Sequence, residues 1–216
     1  MNDLVIVTLV SEYKRHEDLP SCAKWAVING IMKSLVLILP LFAVLTGIGF
    51  VSCGSNGGEK AGKSSIRRAT SDATWLKNAT QVTWLPRQVS GRYDGASALD
   101  NIRQASAGHA VKRSSYGTAP GGYVRLDPRM LRAMKILVKE GFTFRVTAIA
   151  GASHSRTSRH YAGLAFDVDF INGQKVGYVN PHWKRFLARC RELGATETLG
   201  PGDRAHSTHT HAAWPR

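Results

Sequence analysis

Hydrophobic residues recur along this chain with more than one period, and each period predicts a different element. Leu131, Met134 and Val138 fall on one helical face, with Asp127-Pro128 as a start signal and Gly141 as a stop, so a helix is expected between them. Trp183, Phe186, Leu187, Cys190 and Leu193 form a second such stripe, opened by Asn180-Pro181 and closed by Gly194. Ser97 to Ala107, SALDNIRQASA, adds a short helix that Gly108 ends. The period then changes to two. Phe142, Phe144, Val146 and Ala148 alternate with Thr143, Arg145 and Thr147, and Phe166, Val168 and Phe170 alternate with Asp167, Asp169 and Ile171, which predicts strands over 142–149 and 165–171. Weaker strand signals lie at 174–179, 195–199 and 209–214. Mixed helices and short strands without a βαβ repeat indicate an α+β domain on a small, mainly antiparallel sheet with flanking helices.

A different pattern occupies the first quarter. Residues 35–53, LVLILPLFAVLTGIGFVSC, form an uncharged apolar run followed by the polar stretch GSNGGEKAGKSS. This is a targeting segment rather than core. Met32-Lys33-Ser34 makes an ordinary basic start for it, which leaves 1–31 as an untranslated or disordered prelude. Read from Met32, residues 32–53 resemble a bacterial lipoprotein signal peptide, with Cys53 as the residue that carries the lipid. The run is also about the ~20 residues that a membrane anchor needs. Either reading puts the remainder in the cell envelope, outside the cytoplasm and attached to the membrane. Residues 54–70, rich in Gly, Ser, Lys and Arg, read as a flexible tether, and 71–216 as the folded domain.

Composition adds two limits. Hydrophobic residues make up 43% of 216, enough for a real core, and Cys22, Cys53 and Cys190 are too scattered for a disulfide scaffold or a Cys-x-x-Cys metal pair. Cys190, on an apolar stripe, reads as a packing residue, and so does Trp214. The net charge of +14 favours an anionic partner, but no zinc-finger, basic-zipper or RNA-binding signature accompanies it. Nucleic acid is therefore not expected, and a monomer is.

The chemistry lies in two histidine phrases, Ser158-Arg-His160-Tyr-Ala-Gly163-Leu-Ala165-Phe-Asp167 and His206-Ser-Thr-His209-Thr-His211. On a strand His209 and His211 project from one side, about 7 Å apart along the backbone. His160, Asp167 and His211 make a set of two imidazoles and a carboxylate of the kind that holds one catalytic zinc ion with a fourth position open to water. Gly163 permits a sharp turn between the first two, and Ala165 leaves space beside the ion.

Ser-x-His-x-x-Gly-x-Ala-x-Asp with a late His-x-His resembles the zinc D-Ala-D-Ala carboxypeptidase family. Its superfamily includes lysostaphin-type peptidases, penicillin-insensitive murein endopeptidase and the hedgehog domain. The resemblance spans roughly Pro128 to Trp214. It implies a hedgehog/D-Ala-D-Ala-peptidase-like fold and a zinc metallopeptidase that hydrolyses peptidoglycan stem peptides, as a carboxypeptidase or murein endopeptidase, through a zinc-activated water. Residue by residue, it implies zinc at His160, Asp167 and His211, His209 as base or transition-state stabiliser, and a catalytic place for His206. Thr208 stands where one branch carries its general-base glutamate. Ile149 to His154 replaces the usual Gly-Tyr-Arg phrase, leaving Arg145, Arg156 and Ser158 as candidates for substrate binding. These two departures support the alternative, a non-catalytic zinc-containing cell-wall-binding module of the same fold.

Overall fold

The computed structural model describes residues 57–216, which lie within one compact unit; the expected signal peptide or membrane anchor at 32–53, Cys22 and Cys53 fall outside the described residues. Among the described residues, four α-helices and a mainly antiparallel sheet make an α+β domain. The main sheet runs β1 (Val82–Trp84), β4 (Phe144–Ala148), β5 (Ala165–Ile171), β8 (Thr210–Ala213), β7 (Glu197–Leu199), and β6 (Gln174–Lys175) pairs with β5 off that path. Only the β1–β4 pair is parallel among these strands. The strands β2 (Val111–Lys112) and β3 (Tyr123–Val124) form a separate antiparallel ribbon.

The first helix overturns one sequence expectation. Residues from Gly57 onward are not a tether but the opening of α1 (Gly57–Asn78), so the fold begins before residue 71. Ile66, Ala69, Ala73 and Leu76 recur at three- and four-residue spacing, and Ala73 and Leu76 are fully buried. Because two of these four are alanine and most of the remaining stretch is polar, the stripe is sparse. Asp72 fastens α1 to α3 (Pro128–Lys139) through Lys135 at 2.7 Å, and Thr74 bonds the Ser106 carbonyl of α2 (Ala98–Ser106).

The helix signals otherwise act locally, as physics requires. Ser97 and Asp100 close a reciprocal capping box on α2, and Asp127 caps α3 with Pro128 in its first turn. α4 (Trp183–Glu192) starts later than Asn180-Pro181 suggests. The Asn180 side chain accepts from the His182 amide at 2.7 Å and donates to the carbonyls of Gln174 and Lys175, so it ties the turn to β6 instead.

Alternation sorts the sheet into two faces up to an irregularity in the β4–β5 pairing, beyond which Ile171 rather than Phe170 enters the core and Phe170 lies opposite Arg145. Phe144, Val146, Phe166 and Val168 enter the helix-covered core, where the Phe186 ring of α4 meets Phe142 and Phe144 edge-on at 5.4 Å and Phe166 at 6.3 Å. Trp214 is buried against Phe166, its ring stacked at 5.9 Å and its indole N–H donating to the Leu193 carbonyl. Cys190 is a free, fully buried packing residue whose thiol burial pushes up to about 12. On the opposite face Asp167 stands across from Ala148 on one side and His211 on the other, and His211 across from Leu199. That row forms the floor of a cleft.

Candidate metal centre

The cleft has a volume of about 850 Å³ and is walled by the loop that follows β4 and the loop that precedes β8. His160 reaches it from the short 3-10 helix Arg159–Ala162, which Ser158 caps by accepting from the His160 amide at 3.3 Å. Gly163 ends that helix at φ 70°, and a β-carbon there would lie 2.3 Å from the Arg125 carbonyl oxygen. Glycine is thus required for both conformation and space, and the chain turns directly into β5, which supplies Asp167.

Three atoms converge. His160 Nε2 lies 3.1 Å from Asp167 Oδ1 and 3.1 Å from His211 Nδ1, and His211 Nδ1 lies 2.9 Å from Asp167 Oδ1. All three residues are buried, His160 to 1% exposure. The remaining ring nitrogens fix the tautomers. His160 Nδ1–H donates to the Ile149 carbonyl at 2.5 Å, and His211 Nε2–H donates to Glu197 Oε1 at 3.0 Å. In their neutral form the two rings then present lone pairs at the converging nitrogens, facing the carboxylate oxygen.

Such an arrangement calls for a shared cation. Ligand atoms around a tetrahedral zinc with bonds of about 2.0–2.1 Å stand about 3.3 Å apart, a few tenths of an ångström beyond this triangle. Metal-bound histidines characteristically donate their other N–H to a carboxylate or backbone carbonyl, and this site has one of each. The residues fit a metal ion.

His154, His160 and Asp167 also offer ligand atoms within 4.8 Å of one another. The His154 ring is stacked on His160 with centroids 3.9 Å apart and planes 9° from parallel, and its Nε2–H donates to the Gly151 carbonyl at 3.0 Å. Lone pairs in two parallel ring planes do not meet at one ion. His154 is therefore a stacking partner of His160, and His211 completes the donor set.

Electrostatics agree with this division. Burial, the largest influence on Asp167, would raise its pKa, but His160 and His211 reverse it and hold the carboxyl well below the usual range. Burial likewise lowers His211, and Asp167 with Glu197 outweighs it, leaving that imidazole raised. His154 drops to about 4, chiefly through burial and then through His160. Burial also lowers His209, with the neighbouring imidazoles adding to it and Asp167 opposing.

His209 and His206 both line the cleft, their rings 4.8 Å apart. His206 Nδ1–H donates to the Arg204 carbonyl at 2.7 Å, which leaves its Nε2 as the lone-pair atom. Ser158 and Thr208 line the cleft as well. The two candidate arginines do not. Arg156 is exposed and outside the cleft lining. Arg145 is held by Asp169 through a two-pronged ion pair of 2.8 and 2.5 Å, with its guanidinium 4.2 Å over Phe170. The cations that line the cleft are Arg159, Lys175 and Arg216. Arg159 stands inside the first histidine phrase, between Ser158 and His160. Glu197 was visible in the sequence only as a residue of a weak strand; its value comes from the β7–β8 pairing, which no motif encodes.

No family model, no curated protein and no solved structure matches this chain.

Proposed function

We propose that this protein is an exported zinc metallopeptidase that hydrolyses peptide bonds in peptidoglycan stem peptides. The observation that carries the reading is the triangle of two ring nitrogens and a carboxylate oxygen at His160, His211 and Asp167, with the other nitrogen of each imidazole bonded to Ile149 or Glu197. The two histidine phrases, which resemble those of the zinc D-Ala-D-Ala carboxypeptidases, support the substrate class and a fold of the hedgehog/D-Ala-D-Ala-peptidase type. The apolar run at 35–53 and Cys53 support export and attachment to the membrane.

His160, Asp167 and His211 would hold the ion. Bound there, zinc supplies Lewis-acid polarisation of a carbonyl and lowers the pKa of a coordinated water. His209 is half-buried in the cleft wall, and burial holds its imidazole below the usual range, so the ring can accept a proton from the attacking water and return it to the leaving amine. His206, beside it, orients that ring. Arg159, Lys175 and Arg216 give the cleft cations for substrate carboxylates. Residues 1–56 carry equal numbers of acidic and basic side chains, so the whole +14 belongs to the part with the cleft, which suits an anionic wall.

The test is digestion of purified peptidoglycan by the full chain, loaded with zinc or stripped by a chelator, with mass spectrometry of the released muropeptides. Zinc-dependent loss of terminal alanine establishes a carboxypeptidase, and cleaved cross-links or stems an endopeptidase. Thr208, exposed in the cleft where a glutamate base would stand, favours the second reading, a zinc-containing wall-binding module. Absence of product from protein that holds one zinc would select it. Absence of bound zinc would overturn both.

A further inference from the structure

Two peptide groups in the segment that leaves β4 are gripped on both sides. The Ile149 carbonyl accepts from His160 Nδ1–H at 2.5 Å, and the N–H of that same peptide group, on Ala150, donates to Asn101 Oδ1 at 2.9 Å. Two residues on, the pattern repeats. The Gly151 carbonyl accepts from His154 Nε2–H at 3.0 Å, and its peptide N–H, on Ala152, donates to Ser114 Oγ at 2.9 Å. The stacking of His154 on His160 accompanies this doubled arrangement, each ring being tied to one of two carbonyls two residues apart in the segment.

The far ends are anchored in the fold. Asn101 is fully buried on α2, and its Nδ2–H donates to the Lys112 carbonyl at 2.9 Å. Ser114 is fully buried and also receives the Gln88 amide at 3.3 Å. A β-carbon on Gly151 would lie 1.9 Å from the Ala96 carbonyl oxygen, so the segment is pressed against its support with no room for a side chain. Neither Asn101 nor Ser114 lines the cleft.

We propose that Asn101 is a positioning residue for the metal centre, acting on His160 through the Ile149–Ala150 peptide group, with Ser114 as its counterpart for His154. This rests on the reading of His160 as a metal ligand. Hydrogen bonds in series polarise one another, so donation from Ala150 to Asn101 strengthens the Ile149 carbonyl as acceptor for His160 Nδ1–H. The imidazole is thereby held in one tautomer and one orientation, with Nε2 turned to the donor triangle. Groups that orient a metal-ligating histidine in this way typically affect affinity by about 10–100-fold.

The experiment uses the full chain and measures zinc affinity by competition with a chromophoric chelator. Asn101→Ala should weaken zinc about tenfold or more. Ser114→Ala should stay within about twofold of the parent, because His154 is not a ligand. Ile102→Ala removes a fully buried neighbour on the same helix whose side chain makes no hydrogen bond to the peptide group, and is expected to lower stability while leaving zinc affinity unchanged. Asn101→Ala binding zinc like the parent, or Ile102→Ala losing affinity equally, overturns the proposal. Should Asn101→Ala not fold, zinc titration of the unaltered protein followed by NMR decides. The Ala150 amide proton must move with zinc occupancy, and by more than that of Ala152; an unmoved Ala150 signal overturns the assignment. Failure of the unaltered protein to bind zinc would instead overturn the metal reading beneath it.

Discussion

Glu197 is the place where a single altered charge says most about the site. Its Oε1 accepts from His211 Nε2–H at 3.0 Å, its Oε2 lies 3.8 Å from Arg159 Nε, and its side chain is 41% exposed. Glu197→Gln keeps an acceptor oxygen and nearly the same shape and removes the charge. Loss of such a partner costs 10–100-fold in metal affinity; with water screening this carboxylate, the lower end applies, about tenfold or about 1.4 kcal/mol. When free zinc exceeds both dissociation constants, that figure is also the difference in zinc-induced stabilisation, which grows as RT ln(1 + [L]/Kd). A domain of this size shifts its Tm by about 2–4 °C per kcal/mol, so the rise in Tm on adding zinc should shrink by about 3–6 °C. Scanning calorimetry in zinc buffer and in chelator measures both states. The zinc-free Tm should scarcely change, since only an exposed charge has gone. A zinc-induced rise equal to that of the parent would refute the claim that the Glu197 charge strengthens His211 as a ligand.

Three further outcomes are expected. His209→Ala should lower turnover by about 10²–10⁴-fold while the zinc content by atomic absorption stays at one ion; loss of zinc as well would make His209 a structural residue. Arg145→Ala breaks the partly buried pair with Asp169 and the contact over Phe170, so stability should fall by about 1–2 kcal/mol in urea titration with KM unchanged, whereas a raised KM would return Arg145 to substrate binding. His154, at about 4 when folded against about 6.5 unfolded, binds a proton only in the unfolded chain between those values, so its contribution to stability is lost as pH falls through that window. Zinc-free protein should therefore lose roughly 2–3 kcal/mol from this residue between pH 7 and 4.5, and His154→Gln should flatten the urea-midpoint curve by that amount; an equal slope in both contradicts it.

How far the sequence could be read depended on the range over which each signal acts. The α2 and α3 caps and the Gly163 turn are set by residues within four of one another, and they stand where the pattern puts them. The period-two runs likewise located β4 and β5, and the two phrases named three residues whose donor atoms do meet. What remained hidden was set by partners far along the chain. α1 is held by a sparse apolar stripe whose worth appears only against α2 and α3, and its glycines and lysines disguise it as linker. Arg145 looks like an available cation until β5 brings Asp169 beside it. Glu197 and the Ile149 carbonyl enter through strand pairing and loop path, neither of which a one-dimensional pattern carries.

The donor triangle joins residues 7, 44 and 51 apart in sequence, and two of its three sides depend on the last strand being seated on β5. Closing such long loops comes late in folding. A metal ion held by the triangle would thus have little to grip until β8 has docked, and its effect would fall on the rate of escape from the native state rather than on the rate of reaching it. In a chevron plot, zinc is expected to displace the unfolding arm and leave the refolding arm nearly in place. If the protein is exported as proposed, to a place where a chain once opened is exposed to proteases, the ion in the cleft would then also act as a latch that sets the domain's lifetime.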